Sequence, residues 1–204
     1  MQFIHMPTDN LTTPGSITQN IAMVDFLEQS QLNQDAAELK YSGGSQEYYI
    51  WLSSLLKPFT KPAILDIFSS EDPDTSTYLR QAGYNINITD AQRDNLDFLN
   101  NLAGAQIENP AVFFDLLIDT ITKQYEVVIW HNPQIELTPA QITISLTKIA
   151  DCLIGGGLLL TNMHFADSTL SQFASKFHPI TEQSFTKNVD DQKMVYQVLT
   201  KTIN

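Results

Sequence analysis

Several residues whose types can do chemistry stand where an apolar segment meets a polar one. Asp66 lies near the end of Ala63-Ile64-Leu65-Asp66-Ile67-Phe68, and Asp90 closes Asn85-Ile86-Asn87-Ile88-Thr89-Asp90. Asp115 follows Val112-Phe113-Phe114, and His131 follows Tyr125-Glu126-Val127-Val128-Ile129-Trp130. His164 comes two residues after Asn162. A carboxylate at a strand end can accept hydrogen bonds from a ligand or from nearby backbone N–H groups. An imidazole, with an unperturbed pKa of about 6.5, suits proton removal from a hydroxyl or amine. The spacing of His131, His164, Asp66 and Asp90 matches no metal motif such as His-Glu-x-x-His, so no metal is expected. There is no Gly-x-Ser-x-Gly elbow and hence no support for a hydrolase. Cys152 is the single cysteine. It sits in the apolar run Ile149 to Leu153 and reads as a buried small hydrophobe.

These residues need elements to position them. Residues 1–15 carry Pro7, Pro14 and Gly15 and read as a loose arm. Ile17, Ile21, Val24 and Leu27 predict a helix from Ser16, and Gly43-Gly44 breaks the chain. Ser45 caps a second predicted helix, with Tyr48, Trp51, Leu52, Leu55 and Leu56 on one face. Residues 1–60 are thus expected to form an arm and helical cap, and residues 61–204 the main domain. From residue 63 short apolar runs alternate with helices. Strands are expected at 63–68, 85–90, 112–114, 125–130 and 158–161. Helices are expected over 74–82, ending at Gly83, and over 91–102. A third opens at Thr138-Pro139-Ala140-Gln141, with a capping box and proline at its first position. Gly155-Gly156-Gly157 is read as its stop. A helix capped by Asp167 or Ser168 carries Leu170, Phe173, Ala174 and Phe177. Two closing strands, Ile180–Thr186 and Met194–Thr200, flank the turn-like Asn188-Val189-Asp190-Asp191. Such alternation predicts an α/β fold: a mostly parallel sheet with helices on both faces and a C-terminal antiparallel hairpin. A sheet of this kind binds ligands at the carboxyl ends of its strands.

Composition narrows the partners. The chain has 204 residues, with 23 Asp+Glu against 11 Lys+Arg and a net charge of -12. Arg80 and Arg93 are its arginines, and the lysines are scattered singly. No basic stripe exists to neutralise phosphates, which argues against nucleic acid and against an anionic membrane surface. The N-terminal residues lack a basic segment before an apolar one, so no signal peptide is expected, and the lone cysteine suits a cytoplasmic setting.

The layout over residues 45–200 resembles the class I S-adenosylmethionine-dependent methyltransferases, whose sheet is Rossmann-like. Ile64-Leu65-Asp66-Ile67 is similar to the family's first strand. Tyr125-Glu126-Val127-Val128 is similar to its fourth, and Leu153 to Leu160 to its Gly-Gly approach to the fifth. The resemblance implies S-adenosylmethionine as cofactor and a small molecule as substrate. It places Asp66, with Phe68 and Ser70 of the following loop, at the methionine end. Asp90, with Ala91, would hold the ribose hydroxyls. Asp115, with Leu116, would meet the adenine, and Trp130 would face the cofactor. His131 is then the candidate general base. Asn132, His164 and the aromatic residues Tyr48 and Trp51 become candidate substrate contacts, although an aromatic stripe at helical spacing equally suits a core.

One stretch departs from the pattern. The family's glycine-rich loop is replaced by Phe68-Ser69-Ser70-Glu71-Asp72-Pro73-Asp74. Glycines there permit a left-handed backbone, which costs another residue about 1–2 kcal/mol. A Phe at the first position could also fill cofactor space. The acids of this loop would repel a pyrophosphate but tolerate a cofactor bearing ammonium and sulfonium groups, and Asp74 is expected to cap the next helix. The glycine triplet offers no phosphate cradle, because it precedes a strand rather than following one. Two functions therefore remain open: a small-molecule methyltransferase, or a methyltransferase-like domain without turnover that binds or supports.

Overall fold

The computed structural model describes residues 46–102, 109–132, 136–163, 165, 167–189 and 192–203, all within the compact unit Leu39–Asn204. The helix expected from Ser16, the Gly43-Gly44 break, Pro133, His164, Asp190 and Asp191 lie outside the described residues. In chain order the elements begin with α1 (Gln46–Leu56), β1 (Ala63–Ile67), a 3-10 turn (Ser69–Glu71), α2 (Pro73–Gln81) and β2 (Asn85–Asp90). They continue with α3 (Arg93–Leu102), β3 (Val112–Phe113), β4 (Tyr125–Trp130), α4 (Pro139–Cys152) and β5 (Leu153–Thr161). The last are α5 (Asp167–Gln172), β6 (Phe177–Pro179), β7 (Phe185–Val189) and β8 (Gln192–Lys201).

The strands run in the order β3-β2-β1-β4-β5-β8-β6, with β7 paired to β8. The pairs β1–β2, β1–β4, β2–β3 and β4–β5 are parallel. β8 is antiparallel to β5, β6 and β7. The expected mostly parallel sheet with an antiparallel closing hairpin is what forms. The order reverses beside β1, so the C-terminal ends of β1 and β4 flank the crevice where sheets of this kind take ligands.

Strand alternation sorts the core. Ile64, Ile86, Ile88, Val127, Ile129, Leu160 and Val198 pack with Leu52 of α1, Leu79 of α2 and Leu99 of α3. Leu65, Ile67, Val128, Trp130 and Leu159 pack on the opposite face with Leu146, Ile149 and Ala150 of α4. Burying each such side chain stabilises by roughly 1.5–3 kcal/mol. Asp66 and His131 fall on the first face by the same alternation. Asp66 therefore enters an apolar core that nothing in its own strand can satisfy.

Local signals held at several ends. α2 finishes in a Schellman turn: Tyr84 N–H donates to Leu79 O and Gly83 N–H to Arg80 O, both 3.0 Å, with Gly83 at φ +78°. Thr138 and Gln141 form the reciprocal capping box of α4. Cys152 is buried at the end of α4, and burial pushes its thiol pKa up to about 12.

Four expectations are corrected. Gly155-Gly156-Gly157 is not a helix stop, because α4 ends at Cys152 and the glycines lie inside β5. Tyr125 pairs with Leu153 but Val127 with Leu158, so β5 takes up extra residues in a bulge. Gly156 has φ +79°, and a Cβ on Gly157 would stand 2.9 Å from Glu126 O. The expected strand 180–186 is instead a 3-10 turn (Thr181–Gln183) followed by β7. The helix expected to carry Phe177 stops at Gln172, and Phe177 opens β6. Asp74 does not cap α2, since Asp72 stands at that position. Among the described residues no helix is long and apolar enough to cross a membrane.

Candidate functional site

Two polar clusters occupy the C-terminal edge of β1, β2 and β4. The first is buried. Asp66 and His131 are both 0% exposed, with His131 Nε2 2.9 Å from Asp66 Oδ1. The approach has the distance of an ion pair without the direction of a hydrogen bond, and neither Asp66 oxygen receives a directed donor among the described residues. Burial raises the Asp66 carboxyl pKa above its usual range, and the neighbouring His131 pulls it back in part. His131 Nδ1 lies 3.3 Å from Tyr196 Oη. Tyr196 Oη donates to Asp72 Oδ2 at 2.6 Å, and Thr75 Oγ1 donates to the same oxygen at 2.9 Å. Tyr48 Oη meets Thr75 Oγ1 at 2.8 Å.

The proton directions follow from these partners. Tyr196 and Thr75 spend their hydrogens on Asp72, so Tyr48 donates to Thr75 and His131 Nδ1 donates to Tyr196. Burial lifts the Tyr48 and Tyr196 hydroxyls well above the usual phenol pKa, which keeps both as neutral donors. The network ties together α1, β1, the loop after it, α2, β4 and β8. His131, the candidate general base, thus lies sealed beneath Tyr196.

The second cluster is nearer the surface and centres on Asp90. Its Oδ2 accepts Ser70 Oγ at 2.6 Å and Ser70 N–H at 3.3 Å. Its Oδ1 accepts Gln92 N–H at 2.9 Å and Asn95 Nδ2 at 3.1 Å. Asn95 Nδ2 also reaches Ser70 Oγ at 2.8 Å. A carboxylate offers about four lone-pair positions, and here all are taken by the chain itself. Asp90 is 1% exposed, and Ala91 beside it is half-buried.

The remaining candidates are spread around this edge. Phe68 holds the left-handed conformation, φ 57° and ψ 47°. Its ring packs on the face that carries Leu116 and Trp130. Asp115 is occupied in a turn: its Oδ1 accepts Leu117 N–H at 2.9 Å, and its own N–H donates to Asp119 Oδ2 at 2.8 Å. Lys148 Nζ fastens that turn by donating to the carbonyls of Leu116, Leu117 and Asp119. Trp130 is fully buried beside Phe165, ring centres 5.8 Å apart. Exposed Asn132 donates its N–H to Asn162 Oδ1 at 2.6 Å, joining the ends of β4 and β5. Tyr48 is in the core. Trp51 stacks on Phe185 at 5.1 Å and donates to Gln183 O at 2.8 Å. Asp66 and His131 are therefore brought together, Ser70 meets Asp90, and Tyr48 joins the first cluster. Asp115 stands apart from both clusters, while Trp51 packs its ring against Tyr48 and Tyr196 of the first. Among the described residues no group of His, Cys, Asp and Glu is arranged to hold a metal.

Tyr196, Thr75 and Asn95 escaped the sequence reading. Tyr196 had a local signal, a hydroxyl-bearing residue on the core side of the alternation Met194, Tyr196, Val198.

A cofactor laid across this edge with its ribose on Asp90 must displace Ser70 or Asn95. The backbone that would cradle its methionine end carries Phe68, Ser70 and Asp72 in place of glycines. In this arrangement the hydrogen-bonding positions of Asp90 are filled by Ser70, Gln92 and Asn95.

No protein-family model matches the chain, and no curated protein matches it. Solved structures do. The N-methyltransferase NodS from Bradyrhizobium japonicum WM9, in complex with S-adenosyl-L-homocysteine, superposes with TM-score 0.57 and 8% identity, over 76% of this chain and 86% of that one. The magnesium protoporphyrin IX methyltransferase ChlM from Synechocystis PCC 6803, with bound SAM, gives 0.59 and 12%, over 86% and 80%. TehB from Haemophilus influenzae gives 0.58 and 15% over 74% of this chain, spanning only 61% of the TehB chain. With the strand order and the reversed last strand, these likenesses give the conclusion: the fold is that of the class I S-adenosylmethionine-dependent methyltransferases.

Proposed function

We propose that this chain is a methyltransferase-fold protein whose cofactor edge is closed by its own side chains, so that it binds or supports a partner rather than transferring methyl groups. One observation carries the reading: Asp90, the acid at the end of β2 where a ribose would be held, has Ser70, Gln92 and Asn95 on its two oxygens. His131 adds to it, because a base sealed at 0% exposure under Tyr196 cannot reach a substrate.

A second reading keeps the chain as an enzyme that methylates a small molecule with S-adenosylmethionine. It is favoured by the placement of Asp66 and Asp90 at the ends of adjacent parallel strands beside the switch point, and by the acid-rich loop, which suits a cationic cofactor. In this reading Ser70 rotates off Asp90, and Asp90 and Ala91 hold the ribose. The charge balance keeps nucleic acid an unfavourable partner in both readings.

Thermal unfolding with millimolar S-adenosylmethionine and S-adenosylhomocysteine separates the two. A ligand at a hundredfold over its Kd adds about 2.7 kcal/mol, a rise of several degrees in a domain of this size. The closed site predicts no rise. A rise that disappears in Asp90→Ala returns the chain to methyl transfer.

A further inference from the structure

We propose that the β3 edge of the sheet is a docking surface for a partner protein, and that the partner presents an amphipathic segment, apolar on one face with Lys and Arg beside it. The inference goes beyond the cofactor edge and holds whether or not Asp90 is closed.

Exposed apolar side chains gather at this end of the sheet. β3 ends the strand order and, among the described residues, pairs with β2 alone. Of the eight large apolar side chains exposed among the described residues, six stand here: Phe98 and Leu102 of α3, Val112 and Phe113 of β3, Ile118 in the turn after it, and Ile144 of α4. Contacts between these elements make the six one surface. The Arg93 guanidinium lies 4.8 Å over the Phe113 ring, and Asn100 Oδ1 accepts Ala111 N–H at 2.7 Å, so α3 is tied to β3 near both of its ends. Lys148, one helical turn beyond Ile144, fastens the turn that carries Ile118. Apolar residues exposed singly need no explanation, but a run that wraps one edge of a sheet marks an interface.

Charge says what kind of partner fits. Asp94, Phe98 and Leu102 follow at intervals of four along α3, and Asp97 stands beside them, so carboxylates border the apolar stripe. Asp94 and Asp97 are exposed, and neither has an ion pair among the described residues. Arg93, beside Asp94 in the chain, is engaged on the Phe113 ring. A second copy of the chain would set these carboxylates against each other, at a net charge of -12 on each copy. A basic segment pairs with them instead, and the same net charge draws it in from a distance. The apolar side chains then supply the anchors that carry affinity.

The probe is a fluorescent helical peptide of about 18 residues with Leu on one face and Lys on the other, titrated into the full chain by anisotropy. Circular dichroism melts confirm that every variant is folded. The expected result is saturable micromolar binding, with protection of α3 and β3 from hydrogen exchange. Phe98→Ser with Leu102→Ser should weaken it by about tenfold or more, as loss of interface anchors does. Asp94→Asn with Asp97→Asn should weaken it by roughly threefold or more, and added salt should mimic that loss. Two controls carry matched changes on exposed residues away from β3: Val195→Ser for the apolar change, and Glu47→Gln with Glu182→Gln for the charge. Both should leave binding unchanged. The proposal is overturned if the folded wild type does not bind, if a Leu/Glu peptide binds as well, or if the controls lose as much as the β3-edge variants. It is equally overturned if sedimentation finds a dimer that Phe98→Ser with Leu102→Ser returns to monomer, because the face then belongs to a second copy. None of these outcomes touches the closed cofactor edge, which the thermal test with S-adenosylmethionine reads separately.

Discussion

The loop after β1 and the start of β5 use glycine in opposite ways. At 68–72 there are no glycines, although the backbone enters the left-handed region at Phe68. At 155–157 there are three, all inside β5. The difference lies in what stands beside each backbone. Gly157 has Glu126 O and Ile154 O within 3.0 Å of where a Cβ would be, so only hydrogen fits. The loop has no such neighbour. Its side chains turn to Asp90 and Tyr196 and supply the hydrogen bonds that hold it. Glycine stands here where backbone meets backbone, and it is absent from a loop whose own side chains hold it in place.

The largest effect is expected from the side-chain bolt of the loop. Asp72→Ala removes the acceptor of both Tyr196 and Thr75 in a buried setting, and should destabilise by about 2–4 kcal/mol in urea unfolding. A loss under half a kilocalorie would mean that the loop is held some other way. Next comes the opposite region. Gly157→Ala should cost about 1–3 kcal/mol by overpacking against backbone that cannot move aside. A neutral outcome there would remove the steric half of the comparison.

A third experiment reads the group beneath the loop. Burial raises Asp66 above its ordinary value of 3.8. The folded protein therefore holds a proton there more tightly than the unfolded chain does. The stability this group provides is full below the unfolded value and falls as pH climbs through the folded one. Asn cannot titrate, so wild-type stability relative to Asp66→Asn should decline as pH rises from 3.8 upward. Urea curves at a series of pH values measure this, and a difference that stays constant with pH would contradict it. The smallest effect is expected for Phe68→Gly. Relief of the left-handed strain, about 1 kcal/mol or more, offsets lost packing of a half-buried ring. The net change should stay well below the roughly 3–5 kcal/mol that deleting a buried Phe costs.

Much of the fold was readable because its signals are local. Gly83 and the Thr138–Gln141 box mark helix ends within a few residues, and β1, β2 and β4 are apolar runs that only a buried sheet can use. β6 was missed because a strand of three residues has no periodicity to read. The glycines of β5 were misread because their cause, Glu126 O, is a neighbour in space and not in sequence. The sites follow the same rule. Asp66 and His131 could be named from their places at strand ends, yet their burial depends on Tyr196, which arrives from β8. The closing of Asp90 by Ser70 joins positions that no local pattern links.

The ring packing around Tyr48, Trp51, Phe185 and Tyr196 also bears on the order of folding. Trp51 meets Gln183 across 132 positions, and Asp72 meets Tyr196 across 124. Loops of that length close late, since their entropy must be lost before any contact is gained. During synthesis α1 leaves the ribosome well before the strand that completes its packing. Until β8 docks, its aromatic face has nothing from the far end of the chain to rest on. Loosening the β7–β8 hairpin should therefore show first, in hydrogen exchange, as fraying of α1 on the other side of the sequence.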